Sequence, residues 1–365
     1  MFVYDVPGSK SSGARFYSEL TKDINSKNNS NFNDAKIVLF NIYTPFSKLL
    51  YSRLIGKKVV LRVDGLWNDR LTSSFLDNTN VLSRIIFKLL GRIEALRIPL
   101  SHAANFFHDN YKLFAKVFIS NEVVFQSNYS KLLHTKYYTK KNTVILNGCK
   151  WQGENMIDRS CSSVDKEIKM CLIYSRAPLK GVYESVKFVT WLNQEKNLNV
   201  RLYIIGYSGE SPPNAPSDYE KIISNNNNVT LVPAFDSYDH FHKEIFDSCD
   251  LYLCLSRADP CPNALIESMS YGLPVLGIAS GGVPEIVKDA GVLIPYQDFS
   301  NGYFFGSRYE YIPPYFSHDE LYNGLIKIMN NYSHYRSEVR KRFHNELDLS
   351  IVSSKYQACL LKYIR

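Results

Sequence analysis

Residues 256–287 constrain the fold more than any other stretch, because their prolines, glycines and apolar residues spell a helix, a strand and a second helix in succession. Pro262 suits a first helical position, Gly272 stands just past the last apolar residue and Pro274 forbids continuation, which predicts a short helix over 262–271. Residues 273–279 read as a short buried strand, and Ser280-Gly281-Gly282 as a turn feeding a helix at Pro284. Asp259 falls in the loop at the mouth of the first helix and Glu267 about two turns in, roughly 10 Å further along the axis. Acids so placed suit opposite ends of one polyhydroxylated ligand, while the helix mouth offers N–H groups and the positive end of the dipole to a phosphate. Pro260 and Pro262 carry no N–H, so Cys261, Asn263 and Ala264 are left to supply the amides. Taken singly, each acid is better explained as a solvated residue of an ordinary helix–strand–helix unit.

The rest of the chain repeats this alternation. Residues 2–6, 36–42, 58–63, 123–126 and 143–146 are short and apolar, as are 170–174, 200–206, 229–233 and 251–255, with helical patterns or polar turns between them. Such runs predict βαβ units and doubly wound parallel sheets. At 365 residues the chain exceeds one typical domain of about 100 to 200, so two cores are expected. Residues 149–167, polar and without a steady period, read as the linker between them.

Several residues stand at the ends of these strands, where ligands bind in doubly wound sheets. Residues 8–13, with a glycine at each end, form a turn after the first strand and before a helix starting near Ala14; it is either a phosphate-binding loop or a plain surface turn. Asp64 ends the strand over 58–63 and either accepts a hydrogen bond from a ligand or caps the following turn. Arg176 and Lys180 leave the strand over 170–174 side by side, a fitting pair for a diphosphate. Alone, such a pair is ordinary surface; in one βα series with the acids of 259–267 it reads as a site.

Composition narrows the partners. The formal charge of +8, from 43 basic and 35 acidic residues, is modest for a dedicated nucleic-acid binder and fits a phosphorylated substrate or an anionic membrane surface. Arg84, Lys88 and Arg92 line one face of a basic amphipathic helix over 83–97, which either lies on anionic lipid or packs on its own sheet with that face in water. Seven scattered cysteines without a C-x-x-C pair indicate reduced thiols in a cytosol rather than a disulfide framework or zinc site. No basic-then-apolar leader opens the sequence, and no apolar run approaches the roughly 20 residues that span a bilayer. Cytoplasmic residence, with peripheral contact at the inner membrane face, is the expectation. His102, and His108 beside Asp109, read as structural.

Asp259-x7-Glu267, then Gly272-Leu273-Pro274-Val275, then Gly281-Gly282-Val283-Pro284-Glu285 resembles the acidic-x7-Glu signature of the large retaining glycosyltransferase family of the GT-B fold, family four (glycosyl transferases group one). The resemblance implies an α/β protein of two Rossmann-like doubly wound parallel-sheet domains facing a cleft. Residues 1–148 would form the acceptor-side domain, with 349–365 packing back on it, and 168–348 the nucleotide-sugar domain. It further implies that Asp259 contacts the donor sugar, that Glu267 holds the ribose hydroxyls, and that Arg176 and Lys180 bind the diphosphate in place of a metal. The glycine-rich loop ending at Gly13 would face the cleft, and Ala234 would lie where the family seats the nucleobase. The sequence departs from the family in having Asp at 259 where Glu is usual, Pro260-Cys261-Pro262 where a glycine-rich loop is common, and Asp64 where a histidine often stands.

The implied activity is transfer of a sugar from a nucleoside-diphosphate sugar to a glycan or lipid-linked acceptor, with retention and without a metal or other cofactor, in bacterial surface-polysaccharide (O-antigen or capsule) assembly. A nucleotide-sugar-binding module that has lost turnover is the rival reading, favoured by Asp259 and the missing histidine. A dehydrogenase would require a G-x-G-x-x-G after a strand, and neither half has one.

Overall fold

The computed structural model describes residues 1–4, 12–28, 31–64, 111–135, 138–153, 166–175, 178–211, 215–233, 240–296 and 316–363. Two parallel sheets organise them. The first runs in chain order through β1 (Phe2–Val3), β2 (Ile37–Asn41), β3 (Lys58–Val63), β4 (Glu122–Phe125) and β5 (Asn142–Val144). Alternate residues feed two cores. Val3, Ile37, Leu39, Val60 and Val124 meet Phe16, Tyr17, Leu20 and Ile24 of α1 (Ser12–Asn28) on one face. Val38, Phe40, Val59, Leu61, Val123 and Phe125 meet Leu49 of α2 (Phe46–Leu54), with Leu113 and Val117 from helical residues 111–119, on the other. Burial on both faces is why these strands read as unbroken apolar runs. β4 leads into α3 (Asn128–Thr135).

The second sheet holds β6 (Ile168–Ile173), β7 (Val200–Tyr207), β8 (Val229–Pro233), β9 (Leu251–Cys254), β10 (Val275–Ile278) and β11 (Gly291–Ile294), in the order β11-β10-β9-β6-β7-β8. The order reverses between β6 and β9, so the crevice outside their carboxyl ends is the switch point where doubly wound sheets bind ligands. Helices α4 (Val182–Glu195), α5 (Tyr219–Ser224), α6 (His240–Ser248), α7 (Asn263–Ser270), α8 (Val283–Val287), α9 (His318–Asn330) and α10 (Tyr332–Arg342) complete this half.

The chain crosses between the halves twice, side by side. Cys149 N–H donates to Leu347 O at 3.2 Å and Leu349 N–H to Cys149 O at 2.9 Å, while Gln152 and Gly153 both donate to Ser270 O at 3.0 Å. Trp151 packs against Phe343 and His344. The start of the expected linker is therefore docked. The returning helix, α11 (Leu349–Leu361), is capped by Asp348, whose carboxylate accepts from Ser350 N–H. It buries Val352, Tyr356, Cys359 and Leu360 in the first sheet's core beside α1.

Some expected boundaries shift. Gly13 lies inside α1 rather than in a loop before it, since one glycine costs a helix only about 1 kcal/mol and four buried apolar residues hold this one. Pro262 takes the N-cap position of α7, with φ −66° and ψ 105°, one place earlier than the sequence suggests. Arg176, Ala234, His102, His108, Asp109, the loop at 8–11, the basic segment 83–97 and residues 154–165 of the linker lie outside the described residues. Among the described residues no helix is long and apolar enough to cross a membrane, and six free cysteines are found.

Candidate functional site

The loop between β9 and α7 is held from two sides. Ala258 N–H donates to Ser280 Oγ at 2.8 Å, and Gly282 N–H to Asp259 O at 2.8 Å. A Cβ at Gly282 would stand 2.0 Å from Pro260 O, so the loop lies directly on the Ser280–Gly282 turn and only glycine fits. From the other side, Arg257 N–H donates to Leu179 O at 2.7 Å. The single 3-10 turn Pro178–Lys180 ends in Gly181 at φ 71°, where a Cβ would meet Leu255 O at 2.4 Å. This close approach brings Lys180 onto Asp259.

Lys180 Nζ pairs with Asp259 Oδ2, and Cys261 N–H donates to Asp259 Oδ1 at 3.0 Å. Both oxygens of Asp259 thus have partners within the chain. Of the three amides expected to serve a ligand, that of Cys261 is occupied, because the loop folds its acid back on itself as an Asx turn. Those of Asn263 and Ala264 have no acceptor among the described residues, while Leu265 and Ile266 donate to Pro262 O. The mouth of α7 keeps two open donors at the positive end of its dipole. The Cys261 thiol is buried and its pKa pushed up to about 12, chiefly by that burial, which leaves it no nucleophilic character near neutrality.

Glu267, about one turn into α7, meets Arg15 of α1 at 3.3 Å. Arg15, Glu19, Asn263 and Glu267 line a small cavity between the two helices. The acid predicted to hold a ribose is therefore reached from both halves of the molecule.

The first sheet contributes a polar cluster at the carboxyl ends of β3, β4 and β5. Arg62, 2% exposed, lies within hydrogen-bond reach of Asp64 Oδ1 (2.7 Å), Asn147 Oδ1 (2.9 Å) and Gln126 Oε1 (3.2 Å). Its guanidinium also lies over the Phe16 ring. Burial works against the Arg62 charge, but neighbouring groups led by Asp64 outweigh it and raise its pKa above the ordinary arginine value. Asn147 Nδ2 donates to Asn263 Oδ1 at 2.8 Å, joining this cluster to the first residue of α7 across the cleft.

Asp64 is fixed through its backbone as well. Its carbonyl accepts from Ser130 Oγ at 3.0 Å and lies 2.9 Å from His134 Nε2. A carbonyl only accepts, so Nε2 carries the proton, and Nδ1 takes the Tyr138 hydroxyl at 2.7 Å. Burial lowers the His134 pKa to about 4, and the ring is neutral.

Of the residues the sequence singled out, the structure gathers Lys180, Asp259, Cys261, Asn263, Ala264 and Glu267 around one helix mouth, with Asp64 at the carboxyl end of the opposing sheet's central strand. Sequence reasoning missed Arg62, Gln126, His134 and Asn147. A cation enclosed by the apolar residues of 59–63 was the available signal for Arg62. Among the described residues no group of three or more His, Cys, Asp or Glu is arranged to hold a metal ion.

Residues 169–303, fewer than half of the chain, match the family model described as glycosyl transferases group 1. No curated protein matches in sequence. Solved structures of the same architecture include sucrose-phosphate synthase from Thermosynechococcus elongatus, with 12% identity and a TM-score of 0.58 over 98% of this chain and 80% of that one. The Anabaena Alr3699/HepE complex with UDP gives 14% identity and a TM-score of 0.55 over 97% and 84%. WaaG, a glycosyltransferase involved in lipopolysaccharide biosynthesis, gives 14% and 0.56 over 99% and 98%. At these identities the likeness is one of fold. The two parallel sheets facing a cleft are the GT-B fold.

Proposed function

We propose that this chain transfers a sugar from a nucleoside-diphosphate sugar to a hydroxyl of a glycan or lipid-linked acceptor, with retention at the anomeric carbon. The observation that carries the reading is the convergence at one helix mouth of Lys180, the open amides of Asn263 and Ala264, and Glu267 about one turn into the same helix. Departure of a diphosphate builds negative charge, which donors fixed in place before reaction stabilise. Lys180 and the two amides would take that charge, joined on sequence grounds by Arg176, while Glu267 holds the ribose. Asp259 pairs with Lys180 and is freed to orient the sugar once Lys180 turns to the diphosphate. Asp64 faces them from the acceptor side. On the sequence resemblance alone, Gly13 and Ala234 are assigned to the donor as well.

The finer setting we propose is assembly of a bacterial surface polysaccharide such as O-antigen or capsule, supported by the sequence resemblance and by the likeness to WaaG, which is involved in lipopolysaccharide biosynthesis. The basic segment 83–97 supports a peripheral position at the cytoplasmic membrane face. A second reading, a binding module without turnover, draws on the full engagement of Asp259 by Lys180 and Cys261. Incubation with radiolabelled UDP-, GDP-, dTDP- and CMP-sugars separates the two. Transfer predicts release of the nucleotide from at least one donor, slow without acceptor, whereas binding with no release from any donor, whatever the acceptor, supports the module.

A further inference from the structure

The sequence marks Gly281-Gly282-Val283-Pro284-Glu285, yet the donor site uses only its turn. Its glutamate reaches the other half of the molecule. Glu285 Oε2 accepts from the N–H of Asn128 at 2.7 Å and from its side-chain Nδ2 at 2.8 Å, and Oε1 accepts from Tyr129 N–H at 2.8 Å. These are the first two amides of α3. That helix has no acid in its own first turn, and its local cap, Ser127 Oγ, serves only Ser130 N–H at 2.9 Å. The negative charge that the positive end of a helix favours therefore arrives from a residue more than 150 positions away.

Both ends of this contact are held. Arg342, buried, donates to Glu285 O at 2.7 Å and to Ile286 O at 2.9 Å, anchoring the glutamate's backbone to α10. Gly282 places the turn beside Ser127, whose Cβ would lie in ordinary contact, at 3.4 Å, with a Cβ at 282. On the far side, Ser130 and His134, one turn apart on α3, both reach the carbonyl of Asp64. We infer that Glu285 is a positioning residue: by capping α3 across the cleft it sets, through Ser130 and His134, where Asp64 stands. The inference rests on the transfer reading only in taking Asp64 as part of the site. A closed cleft then has its acceptor-side acid in place, and an opened one releases it.

The test uses the full chain without nucleotide, as wild type, Glu285→Ala and Glu285→Gln. Hydrogen exchange reads the Asn128 and Tyr129 amides, and ring-nitrogen NMR reads His134. In Glu285→Ala we expect exchange roughly tenfold faster, with the His134 Nε2 resonance shifting as that nitrogen loses its bond to Asp64 O. Glu285→Gln, which keeps an acceptor oxygen, restores part of both signals, and carries the test alone if the alanine variant fails to fold. Faster exchange with an unchanged His134 signal would mean a helix cap and nothing more, and overturns the inference. So does exchange at the wild-type rate. A wild-type chain that binds no nucleotide would refute the transfer reading separately, leaving these readouts to judge Glu285.

Discussion

Arg15 of α1 stands 3.3 Å from Glu267 of α7, an ion pair that joins the two halves of the molecule at the acid proposed to bind ribose. Arg15 is 41% exposed and Glu267 16%, so the pair is partly wet and worth about 0.2–1 kcal/mol. A ribose that takes the same carboxylate displaces Arg15 at about that cost. Arg15→Ala should therefore tighten nucleoside diphosphate binding by no more than about fivefold in calorimetry. A loss of tenfold or more would make Arg15 itself a ligand contact.

The loop carrying Asp259 depends on a glycine in the neighbouring turn. A Cβ on Gly282 would stand 2.0 Å from Pro260 O, a backbone atom that cannot move aside cheaply. Gly282→Ala should lower unfolding free energy by about 1–3 kcal/mol and weaken nucleotide binding together. Gly209, at φ 76° with nothing near its Cβ position, is the control. Its alanine variant should lose about 1 kcal/mol and leave binding unchanged. Urea titrations of both variants, with calorimetry, decide it.

His134 makes stability depend on pH in a defined window. Its folded pKa is lowered from 6.5 to about 4 by burial, so the unfolded chain takes the proton first. The contribution is fully present above pH 6.5 and is lost as pH falls toward 4, amounting to at most about 3 kcal/mol. Burial also lowers the pKa of His318, which adds to the slope. Glu122 and Glu346, held below 4.5, act at lower pH. His134→Gln, whose amide can still donate to Asp64 O, should flatten the fall in urea midpoint between pH 7 and 4.5 relative to wild type. An unchanged slope would contradict the burial assigned to this ring.

The fold was legible where local signals agree. Pro262, Gly272 and Pro274 bracket α7 to within a residue, and apolar runs buried on both faces gave the strands. What escaped was pairing over distance. Nothing local to Asp259 says that Lys180, seventy-nine residues earlier, sits on it, nor that Cys261 spends its amide there. Glu285 read as the end of a motif, because the helix it caps begins more than 150 residues away. His134 was invisible for the same reason: its role is fixed by Asp64 and Tyr138, which meet it only in the folded sheet. Gly13 misled because a glycine in the first turn looks like a loop when the buried face behind it is not weighed.

The central claim is that Glu267, in the cleft, fastens the ribose of a nucleoside diphosphate. Isothermal titration of wild type and Glu267→Gln with UDP, GDP and dTDP tests it most directly. Hydrogen bonds to a charged acceptor contribute about 1.5–3 kcal/mol, so one diphosphate should bind wild type at a single site and bind Glu267→Gln roughly 10- to 100-fold more weakly. No binding to the wild type by any of the three, or equal affinity in the two proteins, would contradict the account.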